Sequence, residues 1–218
     1  EKVAEQWKVD RESQDAFALE SHRRAIAAQD AGEFADEIAP FEVAEHVPDL
    51  SAGRVDVRTR RVELDEGPRR DTTAEALAKL RPAFAAPRSP QGKATGMGSV
   101  TAGNSSQTSD GAGALLVVSE KILNQFNLTP LARFVSFAVR GVPPEIMGIG
   151  PKEAITAALR SAGLKLEDIG WIELNEAFAA QALAVLTEWG MTDPASWDRL
   201  NPNGSGISLG HPVGATGA

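Results

Sequence analysis

The sequence has 218 residues, a formal net charge of -8 and no cysteine. This length allows one large domain or two small ones, since domains most often contain about 100–150 residues. Without cysteine, the chain has no disulfide, no thiolate zinc site and no cysteine nucleophile of its own. The acidic balance argues against a nucleic acid as the main partner, because neutralising phosphates requires a basic face.

Both ends of the chain and its apolar runs bear on where the protein works. The longest apolar run, at 114–118, is far shorter than the roughly 20 residues of a spanning helix, so we expect no membrane insertion. The chain opens at Glu1 without Met or a signal-peptide pattern, and it ends in a small-residue stretch at 214–218. We therefore expect both ends to be cut, and a cytoplasmic location by default.

The first predicted element is a long helix over 10–34. The stretch is rich in Ala, Gln, Glu and Arg and lacks Pro; Asp10 can cap its start and Gly32 can end it. Its periodicity is weak. The face expected to be buried comprises Leu19, Arg23, Ile26 and Ala27.

The next segments predict less regular structure. Partial alternation of valines over 41–64 favours short strands or extended loop. Thr72 or Thr73 can cap a short helix that ends at Leu80, before a proline. The stretch 87–99, with its prolines and glycines, is typical of a mobile surface loop.

The second half alternates strand-like and helix-like patterns. Continuous apolar runs at 112–119 and 134–139 predict strands covered on both faces, and 171–174 predicts a short third strand. Helices are expected over 151–162 and 177–189. This order predicts an α/β layer protein with a largely parallel sheet.

Asn175 follows the last predicted strand, at the edge where open α/β sheets bind ligands. Its side-chain oxygen can cap the helix that follows. Alternatively, its amide projects into a pocket as a polar anchor. The sequence leaves both interpretations open.

The densest glycine segment, 203–217, contains the third candidate histidine, His211. Its spacing does not match a dinucleotide fingerprint, and it has no Lys for a phosphate loop. His22 and His46 lie among polar residues and are expected to be solvated. His211, between Gly210 and Pro212, is either a structural residue or a rigidly aimed base near neutral pH.

Five motifs resemble those of the thiolase family, the acyltransferases that cleave 3-ketoacyl-CoA with coenzyme A or run the reverse Claisen condensation. They occur in the family's order and span nearly the whole chain. They are Gln-Asp-Ala-Phe-Ala at 14–18, Lys-Leu-Arg-Pro-Ala-Phe at 79–84, Thr-Ala-Gly-Asn-Ser-Ser at 101–106 with Asp-Gly-Ala at 110–112, Asn-Glu-Ala-Phe-Ala at 175–179, and Gly-His-Pro-Val-Gly-Ala-Thr-Gly at 210–217.

The resemblance implies a thiolase-like layered α/β fold, part of a five-layer αβαβα architecture, with an α+β loop domain. Residues 1–106 look like the loop domain that covers the CoA site. Residues 107–126 look like the closing strand and helix of the N-terminal half, and 127–218 like most of the C-terminal half. The segments that hold the family's two reactive cysteines are missing, so the chain alone is expected to be inactive.

The motifs also imply roles for individual residues. His211 resembles the base that takes the proton of the nucleophilic cysteine, and Asn175 the residue whose bound water completes an oxyanion hole. The residues that resemble contacts to CoA or substrate are Ser106, Phe84, Arg69 (with Arg70 as the alternative), Ala177 and Phe178.

The implied partners are acyl-CoA and CoA, with coenzyme A a substrate and no cofactor or metal expected. The full-length protein is expected to form a homodimer or homotetramer. The alternative function is a non-catalytic chain of thiolase fold that binds CoA esters or pairs with a partner subunit.

Overall fold

The computed structural model describes residues 1–84 and 98–217. Its α-helices are α1 (Lys2–Gln6), α2 (Arg11–Ala31), α3 (Ala74–Ala78), α4 (Glu120–Phe126), α5 (Gly150–Ala162), α6 (Ala179–Glu188) and α7 (Gly206–Leu209). Short 3-10 helices cover Pro144–Ile149, Leu166–Asp168 and Pro194–Trp197. Within the described residues, β1 (Phe41–Asp49) and β2 (Arg54–Val62) form an antiparallel hairpin. No helix in these ranges has the length and apolar content to cross a membrane.

Helix α2 confirms the long helix predicted at the start of the chain, but its buried face is different. The Asp10 carboxylate accepts a hydrogen bond from the Ser13 amide at 2.7 Å, and Gly32 ends the helix at φ 79°. Small and polar side chains form the inward face because they allow close approach and bond to buried partners. That face comprises Gln14, Asp15, Phe17, Ala18, Ser21, His22, Ala25 and Ala28. The predicted face was wrong: Arg23 and Ala27 are exposed, and Leu19 and Ile26 are half-buried.

Helix α3 confirms the short helix predicted in the middle of the chain, and of the two alternatives left open for 41–64 the structure forms strands. Strand β1 pairs with β2 in a register that sets Phe41 opposite Val62, and Gly53 takes φ 64° in the turn. The Thr73 hydroxyl accepts a hydrogen bond from the Ala76 amide at 3.2 Å and so caps α3. Most of the loop predicted at 87–99 lies outside the described residues.

The hydrophobic core is built around α6. This helix confirms the one predicted over 177–189. Leu186 is 1% exposed and belongs to a buried cluster that also contains residues from α2, α3 and the segments on either side of α6. The Phe17 ring of α2 meets the Trp197 ring edge to face, with centroids 5.4 Å apart. Helix α5, predicted over 151–162, contributes a half-buried face. The core therefore lies beneath the segment that leads into α6.

The predicted parallel sheet does not form within the residues that the structure describes. Residues 112–119 and 134–139 form no ladder, and Leu116 and Phe134 are 83% and 71% exposed. Of the third predicted strand, Ile172 alone forms a bridge, a parallel one to Leu200. A strand forms only against a neighbouring strand, and these two apolar runs have no such neighbour within the described chain.

We predict that Leu186→Ala lowers the free energy of unfolding by about 2–5 kcal/mol, because it leaves a cavity in the α6 core. Urea denaturation of the chain measures the change. Leu50→Ala is the matched control, since Leu50 is 92% exposed in the turn of the hairpin. Equal effects of the two substitutions would contradict this placement of the core.

Candidate active site

Backbone hydrogen bonds bring Ser106, Ala177 and Phe178 together. The Ser106 amide donates to the Ala177 carbonyl at 3.0 Å, and Ser105 and Phe178 form an antiparallel bridge. The Ala179 amide, at the start of α6, donates to the Asn104 carbonyl at 2.9 Å. Three of the residues predicted to contact CoA therefore lie on two paired segments that are distant in the sequence.

Asn104, to which the sequence analysis gave no role, holds this pairing in place. Its side chain is fully buried. The side-chain oxygen accepts a hydrogen bond from the Thr101 amide at 2.8 Å, and its nitrogen donates to Asp15 Oδ1 at 2.9 Å and to the Ser99 carbonyl at 3.1 Å. Asn104 and Asp15 both belong to thiolase-like motifs, and this membership is the sequence feature that could have identified their role.

Asn175 does not cap the helix that follows it. Helix α6 begins at Ala179, its N-cap is Phe178, and no side chain caps it. The half-buried Asn175 side chain instead lies against Gly206, where an added Cβ would approach its Oδ1 to 2.8 Å. Within the described residues, the Asn175 amide has no hydrogen-bond partner. This arrangement favours the polar-anchor interpretation over the helix cap.

The His211 ring is fixed by a hydrogen bond inside its own loop. Its Nδ1 lies 2.8 Å from Thr216 Oγ1, and the Thr216 hydroxyl donates to the Pro212 carbonyl at 3.1 Å. Because that hydroxyl proton is committed to Pro212, the Thr216 oxygen accepts from Nδ1–H. In the neutral ring, this tautomer leaves the Nε2 lone pair free to take a proton.

Gln107 ties the turn before Arg69 to α7, the helix that leads to His211. Its side-chain nitrogen donates to the carbonyls of Gly67 and Ser208, both at 2.8 Å, and lies 3.2 Å from a third carbonyl in α7. An added Cβ at Gly67 would approach the Ser208 carbonyl to 2.7 Å, so the turn sits directly on α7. Beside this contact lies an open pocket of about 380 Å³, lined by Val62, Leu64, Asp65, Glu66, Gly67, Gln107, Ser109, Asp110, Leu209, Gly210 and Pro212.

The two candidate arginines differ in their partners. Arg70 is committed to Asp30, with its Nη2 2.5 Å from Oδ1 and its Nη1 3.1 Å from Oδ2. The guanidinium of Arg69 is exposed and has no carboxylate partner among the described residues. Of the two, Arg69 therefore keeps its charge available for an anionic ligand.

His22 is buried under the Arg69 turn, so the expectation that it is solvated was wrong. Its Nδ1 accepts a hydrogen bond from the Arg69 backbone amide at 3.2 Å. Burial lowers the pKa of His22, because desolvation disfavours the charged ring, and the nearby Arg69 lowers it further. A neutral ring is the form that can accept this bond. His46, by contrast, is exposed on β1.

Phe84 lies at the margin of the described site. Its ring is 53% exposed, and the preceding Ala83 amide donates to the Val100 carbonyl at 2.8 Å. No described hydrogen bond joins Phe84 to Ser106 or His211. Among residues 1–84 and 98–217, no three acidic or histidine side chains lie where they could share a metal ion.

We predict that Gly206→Ala displaces the Asn175 side chain. The new Cβ would lie 2.8 Å from Asn175 Oδ1 and 3.1 Å from the Glu176 carbonyl oxygen, and such overpacking costs about 1–3 kcal/mol. In a nitrogen–proton NMR spectrum, the Asn175 side-chain amide signals should shift and the thermal midpoint should fall. Gly214→Ala is the control, since no atom lies within 4 Å of its added Cβ. Unmoved Asn175 signals in Gly206→Ala would contradict the close approach.

Comparisons with known proteins identify the family. The sequence profile of the thiolase N-terminal domain matches residues 1–121, and that of the thiolase C-terminal domain matches 128–218. The whole chain aligns with 52% of the length of the 3-ketoacyl-CoA thiolase of Bacillus subtilis, at 49% sequence identity. It aligns with 46% of the length of the peroxisomal 3-ketoacyl-CoA thiolase of Saccharomyces cerevisiae, at 43% sequence identity. The chain thus spans about half the length of the curated relatives it matches.

Solved structures agree with these relatives. The crystal structure of the Bacillus anthracis acetyl-CoA acetyltransferase matches 99% of this chain, and 48% of that one, with a TM-score of 0.83 and 43% identity. Human mitochondrial 3-ketoacyl-CoA thiolase matches with a TM-score of 0.77 and 39% identity, over 99% of this chain and 48% of that one. The predicted thiolase-like fold is confirmed at this level, although most of the regular secondary structure in the described residues is helical. The chain belongs to the thiolase family.

Proposed function

We propose that this chain is the part of a thiolase that supplies the base and the oxyanion donor for acyl transfer between CoA thioesters. One observation carries the proposal: the His211 ring is fixed through Nδ1 to Thr216, and among the described residues its Nε2 has no hydrogen-bond partner. The chain contains no cysteine, so the nucleophile belongs to sequence outside it. The activity is accordingly that of the complete protein, and this chain alone is inactive.

In the proposed reaction, His211 Nε2 takes the proton of that cysteine thiol. The thiolate attacks the 3-keto carbon of the substrate, and the bond between C2 and C3 breaks. The departing enolate oxygen accepts hydrogen bonds from protonated His211 and from a water held by the Asn175 amide; one such donor contributes about 3–4 kcal/mol. The enolate takes a proton at C2 from the family's second cysteine, which also lies outside this chain, and leaves as acetyl-CoA. That second cysteine then takes the proton of a second CoA thiol, whose sulfur attacks the acyl thioester. The first cysteine leaves as a thiolate and takes its proton back from His211.

The proposed CoA contacts follow from the exposed chemistry of the paired segments. The Ser106 hydroxyl lies beside the pantetheine arm, and the small side chain of Ala177, which is paired with Ser106 through the backbone, lines the pocket next to it. Phe178 and Phe84, 38% and 53% exposed, supply apolar surface. Arg69, free of described carboxylates, binds the phosphate or adenine end.

The proposal also covers the domain organisation, the sheet and the oligomeric state of the complete protein. The chain divides into a loop domain (1–106), a closing strand and helix (107–126) and most of the C-terminal half (127–218) of a five-layer αβαβα fold. The exposed apolar runs at 112–119 and 134–139 become strands when the rest of that fold supplies neighbours. We propose a homodimer or homotetramer, and a cytoplasmic location.

The absence of cysteine favours one second candidate: a non-catalytic chain that binds CoA esters or pairs with a partner subunit. This candidate predicts micromolar CoA affinity by calorimetry and no thiolysis by the complete protein. Thiolysis that depends on His211 rejects it.

We predict that His211→Ala lowers the rate of 3-ketoacyl-CoA thiolysis by the complete protein by roughly 10²–10⁴-fold, because general-base catalysis is lost. Absorbance of the 3-ketoacyl-CoA enolate follows the reaction. His46→Ala, on the exposed hairpin, should leave the rate unchanged. A His211→Ala rate within twofold of the unmodified protein would show that the base is another group.

We predict that Arg69→Ala weakens CoA binding about tenfold, since a charge-assisted contact to the ligand is removed. Arg70→Ala is the matched control, because Arg70 is already paired with Asp30, and it should change the affinity by less than twofold. Titration calorimetry with CoA measures both. If Arg70→Ala has the larger effect, the alternative register of the CoA contact is correct.

A further inference from the structure

Glu176 is a buried carboxylate that the proposed chemistry does not use. It follows Asn175 directly and is 2% exposed. Its Oε2 accepts hydrogen bonds from Ser21 Oγ at 2.6 Å and from the Ile207 amide at 3.4 Å, and its Oε1 accepts one from Asn201 Nδ2 at 2.9 Å. Burial raises the pKa of Glu176, and the bonds from Ser21 and Asn201 oppose that rise.

The donors to this carboxylate come from three separate parts of the fold. Ser21 belongs to α2, and its hydroxyl also lies 2.9 Å from Ser208 Oγ in α7. Ile207 belongs to α7 itself. Asn201 precedes α7 in the chain and takes the left-handed conformation at φ 43°. One carboxylate therefore connects the segment around Asn175 with α2 and α7.

Asn201 also bonds the residue that precedes Asn175. Its side-chain oxygen accepts from the Leu174 amide at 2.7 Å, and its nitrogen donates to the Leu174 carbonyl at 2.8 Å as well as to Glu176. Asn175 is thus held through both of its sequence neighbours. Gly206, the first residue of α7, faces its side chain.

Helix α7 also leads directly to the proposed base. It ends at Leu209, and Gly210 at φ 91° turns the chain into His211. We propose that Glu176 is a positioning residue: its buried carboxylate holds the Asn175 segment against α7 and so fixes the spacing between the Asn175 amide and the His211 ring. This inference rests on the proposed acyl transfer, in which both groups stabilise one enolate oxygen.

A carboxylate suits this place better than an amide because its fixed partners all donate. The Asn201 amide cannot turn over, since its oxygen already accepts from Leu174, and the Ile207 amide is backbone. Only Ser21 can redirect its proton, toward Ser208. Glu176→Gln keeps the shape of the side chain but sets an N–H group against one fixed donor.

The test compares Glu176→Gln with Glu173→Gln in the complete protein. The control carboxylate lies three residues earlier, is exposed, and bonds Trp171 Nε1 at 2.5 Å. We expect Glu176→Gln to lower kcat about tenfold while the Kd for CoA stays within twofold. Glu173→Gln should change neither. A kcat within twofold of the unmodified protein for Glu176→Gln overturns the proposal.

A double-mutant cycle separates positioning from general loss of structure. If Glu176 acts through Asn175, adding Glu176→Gln to Asn175→Ala should lower kcat by less than a further twofold. The same tenfold loss in both backgrounds overturns the proposal. If Glu176→Gln does not fold, Ser21→Ala replaces it in the cycle and must show the same dependence on Asn175.

The result for His211→Ala distinguishes a failure of the positioning role from a failure of the proposed function. If His211→Ala abolishes thiolysis and Glu176→Gln does not affect it, the positioning role fails and the proposed function stands. If His211→Ala retains full activity, the proposed function fails first and the positioning role falls with it.

Discussion

The pairing of residues 104–106 with 177–179 is the contact on which the arrangement of the site depends. Two segments more than seventy residues apart in the sequence share backbone hydrogen bonds at 2.9 and 3.0 Å. Buried backbone groups need partners, so this register is held firmly. Asn104 strengthens it by joining the first segment to Asp15 of α2. These bonds therefore fix the position of residues 104–106 relative to the start of α6.

Around this contact, polar networks rather than apolar packing decide where each group lies. Gln107 joins the Gly67 turn to α7, and Glu176 joins the Asn175 segment to α2 and α7. Buried polar groups are costly when left without partners, so such networks tolerate few alternative geometries. Small residues allow the elements to approach closely, as Gly206 does against Asn175.

The success of the sequence-based predictions depended on how local each signal was. Helices α2 and α3 were predicted because caps and stops act within a few residues: Asp10 and Thr73 accept the hydrogen bonds expected of them. The strands at 112–119 and 134–139 were not borne out in the described chain. An apolar run favours a strand, but the strand forms only when a neighbouring strand supplies the ladder of backbone hydrogen bonds.

The sequence by itself determined helices α2, α3, α5 and α6, the thiolase family and the residue types of the site, because these depend on local propensity and on short motifs. Tertiary structure alone decided that Asn175 does not cap α6 and that Arg70, rather than Arg69, pairs with a carboxylate in the part of the chain that the structure describes. It also decided that half of the buried face of α2 is polar and that the Glu176 carboxylate accepts a hydrogen bond from Ser21 in that face. Each of these depends on a partner far away in the sequence, and no local pattern specifies which distant groups will meet.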